Sequence, residues 1–262
     1  SDAVIGGAIR QTGQFQEQAI DDVMRILEQS GHLVATSCFV DIGANIGSHS
    51  IHAAKLGFDQ VVAFEPDPQN FRLLRVNTLL HDVEQKVTCH QMAVSHTDGV
   101  MQMELSPSNF GDHRLRVAED IGRNIHDESD WILQDVAVRT FDSIVGASLL
   151  PKGGPDLIWI DTQGHEGHVL ARAGSLRKMR CPVVLEFWPY GLERSGGYTM
   201  LREALAARDD MEIIDLGAST PDVPTYRTLE ALDQIYESLR EDESKAGSPH
   251  TDLLLLPRRA GA

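Results

Sequence analysis

Two carboxylates 24 residues apart, Asp41 and Glu65, bracket a glycine-bounded segment, Gly43-Ala44-Asn45-Ile46-Gly47. Glycine removes the Cβ and lets a ligand lie against bare backbone. An acid at the tip of a second strand is placed to accept hydrogen bonds from the two hydroxyls of a ribose. A second group of chemistry-bearing residues follows downstream: Asp161, His165 and Glu166, then Glu186. Asp161 can hold a cation or orient an acceptor hydroxyl. His165 has an ordinary proton affinity near neutrality, and Glu166 suits the acidic start of a helix. His49 and His52 are three residues apart, whereas a helical metal pair needs four, so they read as structural or as supports behind a site's direct contacts.

These residues work together only if strands and turns deliver them to one place. Phe39 and Val40 end an apolar run that suits a strand buried on both faces. From Ser48 the pattern turns helical through Ile51, Ala53, Ala54 and Leu56, stopping at Gly57. The glycines therefore lie between a strand and a helix N-terminus, where free amides favour a carboxylate or phosphate. Val61 to Phe64 is the next strand, and Glu65 is its tip. Strand, glycine turn, helix, strand and acid describe an adenosine-type cofactor site. A dinucleotide fingerprint would need glycine where Asn45 and Ser48 stand, and no Lys-Ser/Thr pair marks a triphosphate loop.

The remaining chain alternates between the two kinds of element. Gln14 to Ser30 is an amphipathic helix, so residues 1–30 form an N-terminal segment that either covers a sheet face or lids the cofactor. Asp67-Pro68 opens a helix running to about Leu80. Val87 to Val94 reads as a third strand, ending with Met92 and Ala93 where an adenine ring would rest, and a turn at Thr97-Asp98-Gly99 makes a hairpin with Val100 to Leu105. Ser106 to Asp130 is irregular and polar, an insertion expected to form a substrate-side flap. Gln134 to Arg139 is a strand, with Thr140 capping the helix after it. Asp156 to Ile160, Val183 to Phe187, Met211 to Leu216 and Leu253 to Leu256 complete the strands, numbered fourth to seventh. Helices are expected at Gly167 to Ala173, Tyr198 to Arg208 and Thr228 to Arg240, and a mobile loop at Glu241 to His250. Phe187, Trp188 and Tyr190 offer an aromatic wall for an organic acceptor.

The chain has 262 residues, and its even alternation favours one α/β domain. Its 39 acidic and 23 basic residues give a net charge of −16, which opposes a nucleic-acid substrate and suits a small neutral or cationic one. Cys38, Cys89 and Cys181 show no C-x-x-C pairing, which fits buried free thiols in a reducing compartment. No apolar run approaches 18 residues and no signal peptide opens the sequence, so it reads as cytoplasmic, with no membrane partner.

Six short stretches in order resemble the FkbM family of class I methyltransferases. They are V-D-I-G-A-N-I-G at 40–47, A-F-E-P-D-P at 63–68, M-A-V-S at 92–95, R-T-F-D-S-I at 139–144, I-D-T-Q-G-H-E at 160–166 and L-E-F at 185–187. The resemblance implies a Rossmann-like fold, a seven-stranded, mostly parallel sheet with helices on both faces, and S-adenosylmethionine as donor. It implies O-methylation of a hydroxyl on a small secondary metabolite or sugar, with N- or C-methylation on the same fold, or a non-catalytic cofactor-binding module, as the alternatives. By that likeness Asp41, Gly43, Ala44, Asn45 and Gly47 serve the methionine end, Glu65 and Pro66 the ribose, and Met92 and Ala93 the adenine. Asp161, His165 and Glu186 become the catalytic candidates. A common family form of the fifth stretch is I-D-V-E-G-x-E; Gln163 stands in the second acid's place, which weakens the case for a divalent metal and leaves the base open.

Overall fold

A computed structural model describes residues 17–32, 36–107, 109, 111–117, 128–241 and 249–258. Expectations for residues 1–16, 118–127 and 242–248 lie outside the described residues. The main sheet is built on β1 (Cys38–Ile42), fully buried, flanked by β2 (Gln60–Phe64) on one side and β8 (Leu157–Ile160) on the other, both parallel to it. Beyond β2 lies β3 (Val87–His90); beyond β8 comes β9 (Val183–Phe187), also parallel. The chain thus winds outward from β1 first one way and then the other, and the reversal between β1 and β8 creates a crevice at their carboxyl ends. β12 (Thr251–Pro257) inserts antiparallel between β9 and β10 (Met211–Asp215), and a two-residue β11 (Tyr226–Arg227) makes the sheet eight-stranded rather than seven.

Alternation along the strands feeds two apolar layers. Val40, Ile42, Val62, Phe64, Ile158 and Ile160 face one layer, roofed by α4 (Phe141–Gly146), α5 (Glu166–Ala171), α6 (Gly174–Met179), α7 (Pro189–Arg194), α8 (Gly197–Ala206) and α9 (Leu229–Glu241). Phe39, Val61, Ala63, Leu157 and Trp159 face the other, roofed by α1 (Glu17–Gln29), α2 (Ser48–Leu56) and α3 (Pro68–Leu80). Asp67 caps α3 by accepting from the amides of Gln69 and Asn70, with Pro68 behind it, as its residue types required. In α1, Ile20, Val23, Ile26 and Leu27 are buried against the sheet, and no described residue of this helix lines the cavity below. Its described residues cover a face of the sheet.

Two expectations about the third strand are corrected. The run from Val87 to Val94 breaks at Gln91-Met92, so β3 stays in the main sheet while β4 (Ala93–Val94) joins a second, four-stranded sheet. No hairpin forms with the next strand: β5 (Gly99–Leu105) pairs antiparallel with β7 (Ile132–Arg139) and with β6 (Arg114–Leu115), while β4 runs parallel to β7. The turn at Asp98 is real, but its carboxylate is used elsewhere, accepting from Thr140 N at 2.7 Å and from the Ser143 hydroxyl at 2.6 Å. Gly174 likewise begins a helix, α6, where a stop was expected.

Candidate active site

A cavity of about 390 Å³ opens at the carboxyl ends of β1, β2, β8 and β9, beside the crossover. Gly43, Ala44 and Asn45 form one wall, with Glu65 and Pro66 next to them and Ala93 and Val94 beyond. Gly43 must be glycine: its φ is +89°, and a Cβ there would stand 1.8 Å from the Asp161 carbonyl oxygen. That contact is how closely the tips of β1 and β8 approach, and Asp161 N donates to Ile42 O at 2.9 Å to seal it.

The amides of the turn are not free, contrary to the sequence expectation. Gly43 N and Ala44 N both donate to Phe64 O at 3.0 Å, Gly47 N to Ala44 O, and Ile46 N to Asn45 Oδ1. Asn45 N donates to Glu65 Oε2 at 2.8 Å. The turn is therefore pre-shaped by its own bonds, and an incoming ligand meets backbone surface and the Glu65 carboxyl. Glu65 is 4% exposed, and its Oε1 also accepts from Asp67 N. Burial pushes its pKa up to about 8, opposed by the two amide donors.

Asp41, Gly47 and Met92 are placed outside the cavity wall. Asp41 is fully buried behind the turn and accepts from the Ser50 hydroxyl at 2.5 Å, anchoring the start of α2; burial raises its pKa to about 7. Met92 packs against the apolar layer because the strand break turns it away, leaving Ala93 and Val94 on the cavity wall. His49 lines the cavity. It is buried, its ring lies 4.5 Å from Trp159, its Nε2 has no hydrogen-bond partner, and burial lowers its pKa to about 4.

The opposite wall is acidic. Asp161 and Glu186 both line the cavity, bridged by Gln163, whose Nε2 donates to Asp161 Oδ1 at 2.8 Å and to Glu186 Oε2 at 3.2 Å. Gln163 holds a left-handed φ of 56° to do so. Burial raises the pKa of both acids, and for Glu186 the charges of Asp161 and Glu166 push the same way. Glu166 opens α5 and clasps the loop ahead of it, accepting from Thr162 N and the Thr162 hydroxyl, each at 2.9 Å.

His165 borders the cavity but is only 1% exposed, and it stacks on His168 at 4.2 Å. Burial, with His168 and His96 nearby, lowers its proton affinity well below the ordinary value, which corrects its reading as a base poised near neutrality.

The insertion supplies the outer wall, with Asn109, Gly111, Asp112, His113, Arg114 and Leu115 on the cavity. Arg114 is the residue that sequence reasoning missed. Its guanidinium is 3% exposed, lies 4.6 Å from the Trp131 ring and 5.2 Å from Trp188, and pairs with Glu128 at 2.9 Å. Glu128 also accepts from the Tyr190 hydroxyl at 2.6 Å, and Arg194 pairs with Glu104 at 2.7 Å. Of the expected aromatic wall, Trp188 faces the cavity, Tyr190 serves this network, and Phe187 belongs to the core. No described helix is long and apolar enough to cross a membrane.

A doubly wound sheet with a cofactor-sized cavity at its crossover, walled by a bare glycine turn and an acid-tipped second strand, defines a class I methyltransferase. The model of the methyltransferase FkbM domain matches residues 41–209, and the chain belongs to that family. Among solved structures it is similar to methyltransferase FkbM from Methylobacillus flagellatus KT, with 17% identity, a TM-score of 0.50, and coverage of 85% of this chain and 45% of that one. Among curated proteins it is similar to a ribosomal protein L11 methyltransferase of Thermotoga neapolitana, 31% identical over 114 residues, covering 44% of this chain and 42% of the relative. A second such relative from Thermotoga neapolitana is 28% identical over 130 residues and 48% covered, so the chain spans less than half the length of the curated relatives it matches.

Proposed function

We propose that this chain transfers the methyl group of S-adenosylmethionine to a hydroxyl of a small organic acceptor, a secondary metabolite or sugar. The observation that carries the reading is Glu65, a buried carboxyl at the tip of β2, in the same wall as the Cβ-free backbone of Gly43. The residues fit the donor. The cavity is lined by carboxyls and suits a molecule with sulfonium and ammonium charges, Glu65 is placed for two ribose hydroxyls, and Ala93 and Val94 offer an apolar seat to a base. When bound, the donor supplies a methyl group already activated toward a nucleophile.

The chain's own task is alignment and exclusion of water, which can supply much of the barrier reduction. Asp161, at the tip of β8, takes the proton of the acceptor hydroxyl as the methyl transfers, with Glu186 the second carboxyl beside it. Gln163 holds the two acids in register. Arg114 and Trp188 bound the acceptor side. The net charge of −16 favours a small acceptor over a phosphate-rich one. An amine acceptor is the second reading, favoured by the same acidic wall, which would attract its charged form.

Calorimetry with S-adenosylmethionine tests the donor. We expect binding by the wild type and a loss of at least about tenfold, or about 1.4 kcal/mol, in Glu65→Ala. No binding heat would end the reading, and product mass spectrometry across alcohols and amines decides between the two acceptors.

A further inference from the structure

Beside the cavity, and not needed for the proposed methyl transfer, three imidazoles converge. His96 stands just after β4, and His165 and His168 lie at the start of α5. One ring nitrogen from each lies within 4.8 Å of the other two. We propose that this trio is a binding site for a first-row divalent transition ion, zinc first.

Hydrogen bonding sets the lone pairs for it. His168 Nε2 lies 2.9 Å from the backbone oxygen of Ser195, which can only accept, so Nε2 carries the proton and Nδ1 presents a lone pair. A backbone carbonyl behind the distal nitrogen is the arrangement that fixes the tautomer of a metal-binding histidine. His168 Nδ1 faces His96 Nδ1 at 3.2 Å. Two nitrogens on one tetrahedral zinc, each about 2.05 Å from it, stand about 3.3 Å apart.

The third ring has an unmet need. His165 Nε2 is 2.8 Å from the Ser95 hydroxyl, while its Nδ1 has no hydrogen-bond partner although the residue is 1% exposed. The same Ser95 hydroxyl lies 3.2 Å from His96 Nδ1, so His165 Nε2 and His96 Nδ1 flank one small polar group. Imidazole ligands without thiolates suit zinc, copper and nickel rather than magnesium or calcium. The rings of His165 and His168 now stack at 4.2 Å with planes 14° apart, so closure on an ion turns the His165 ring out of that stack. His165 also borders a small cleft shared with Arg116, Arg194 and Ser195, so the ion would lie in the partition between that cleft and the cavity. Three protein nitrogens would leave one tetrahedral position open.

The alternative is a plain hydrogen bond from His96 Nδ1 to His168 Nδ1 with no affinity for metal. To separate the two, the full chain is stripped with chelator, dialysed, and titrated with zinc chloride by calorimetry and with cobalt chloride by visible absorbance. The expected result is one ion per chain at micromolar or tighter dissociation constant, with the intense absorption of four-coordinate cobalt. His96→Ala should weaken binding at least about tenfold. His96→Asn, which retains polarity near the half-buried position, should do the same while its circular dichroism matches the wild type. Absence of stoichiometric binding by the wild type, or equal affinity in folded His96→Asn, overturns the site. Neither outcome bears on donor binding, so this test and that of the methyl-transfer reading fail separately.

Discussion

The two halves of the cavity are built by different means. The donor half is local. Glu65 holds Asn45 across 20 residues and Asp67 across two, and the turn between strand and helix satisfies its own amides. The acceptor half is assembled across long separations: Glu104 to Arg194 over 90 residues, Ser95 to His165 over 70, Tyr190 to Glu128 over 62. A local site is carried by steric exactness of a few backbone positions. A dispersed one is held by buried charge, whose neutralisation requires every partner. The halves should therefore fail differently.

Gly43→Ala breaks the donor half and is the largest effect expected. Its Cβ would meet the Asp161 oxygen at 1.8 Å and the residue would be held at φ +89°, so two strand tips must part. The variant should lose more than about 4 kcal/mol of stability, the range reserved for gross steric conflict, with no donor binding by calorimetry. A folded Gly43→Ala that binds donor normally would mean the tips of β1 and β8 are not coupled as described.

Arg114→Ala breaks the acceptor half. Removing a buried guanidinium leaves Glu128 and Asp112 short of a counter-charge and opens the aromatic nest of Trp131 and Trp188. Denaturant unfolding should show a loss of about 3 kcal/mol, while donor affinity stays within about twofold because no turn contact passes through Arg114. If donor affinity falls in step with stability, the halves form one cooperative unit and the contrast fails.

The same contrast explains what could be read from residue order. Asp41 to Glu65 is a short-range pattern, and the strand, turn, helix and strand it implied are all present. The stretch Val87 to Val94 does not encode that its last two residues leave for a second sheet, because no glycine or proline marks the break at Gln91-Met92. Thr97-Asp98-Gly99 marks a reversal but not a partner, and β5 chose β7, with Met101 opposite Val136. Met92 was misplaced for that reason. The Arg114 network left no trace in the sequence, since charges 14 to 90 residues apart have no period. The histidine trio was not legible: His165 and His168 sit three apart, the spacing set aside at His49 and His52, and only the β4 turn brings His96 to them.

Acidity sharpens the comparison with the smallest effect. Glu65 is pushed from 4.5 up to about 8 by burial, so in the free protein it is largely neutral at pH 6. For the fold alone, a carboxyl raised in this way contributes fully below about 4.5 and loses its contribution as pH rises through about 8. Donor binding runs the other way. Ribose hydroxyls and a cationic ligand favour the ionised carboxylate, so binding must expel a proton, and affinity should rise between pH 6 and 8 by up to about fiftyfold, then level off. Calorimetry in two buffers of different ionisation enthalpy would show that proton as a difference in heat. In Glu65→Gln, which keeps the shape but cannot titrate, the rise should shrink to what Asp41, raised to about 7 behind the turn, contributes. An unchanged pH profile in Glu65→Gln would move the titration to the acceptor half, where burial raises Asp161 and Glu186, and would take from Glu65 its role at the ribose.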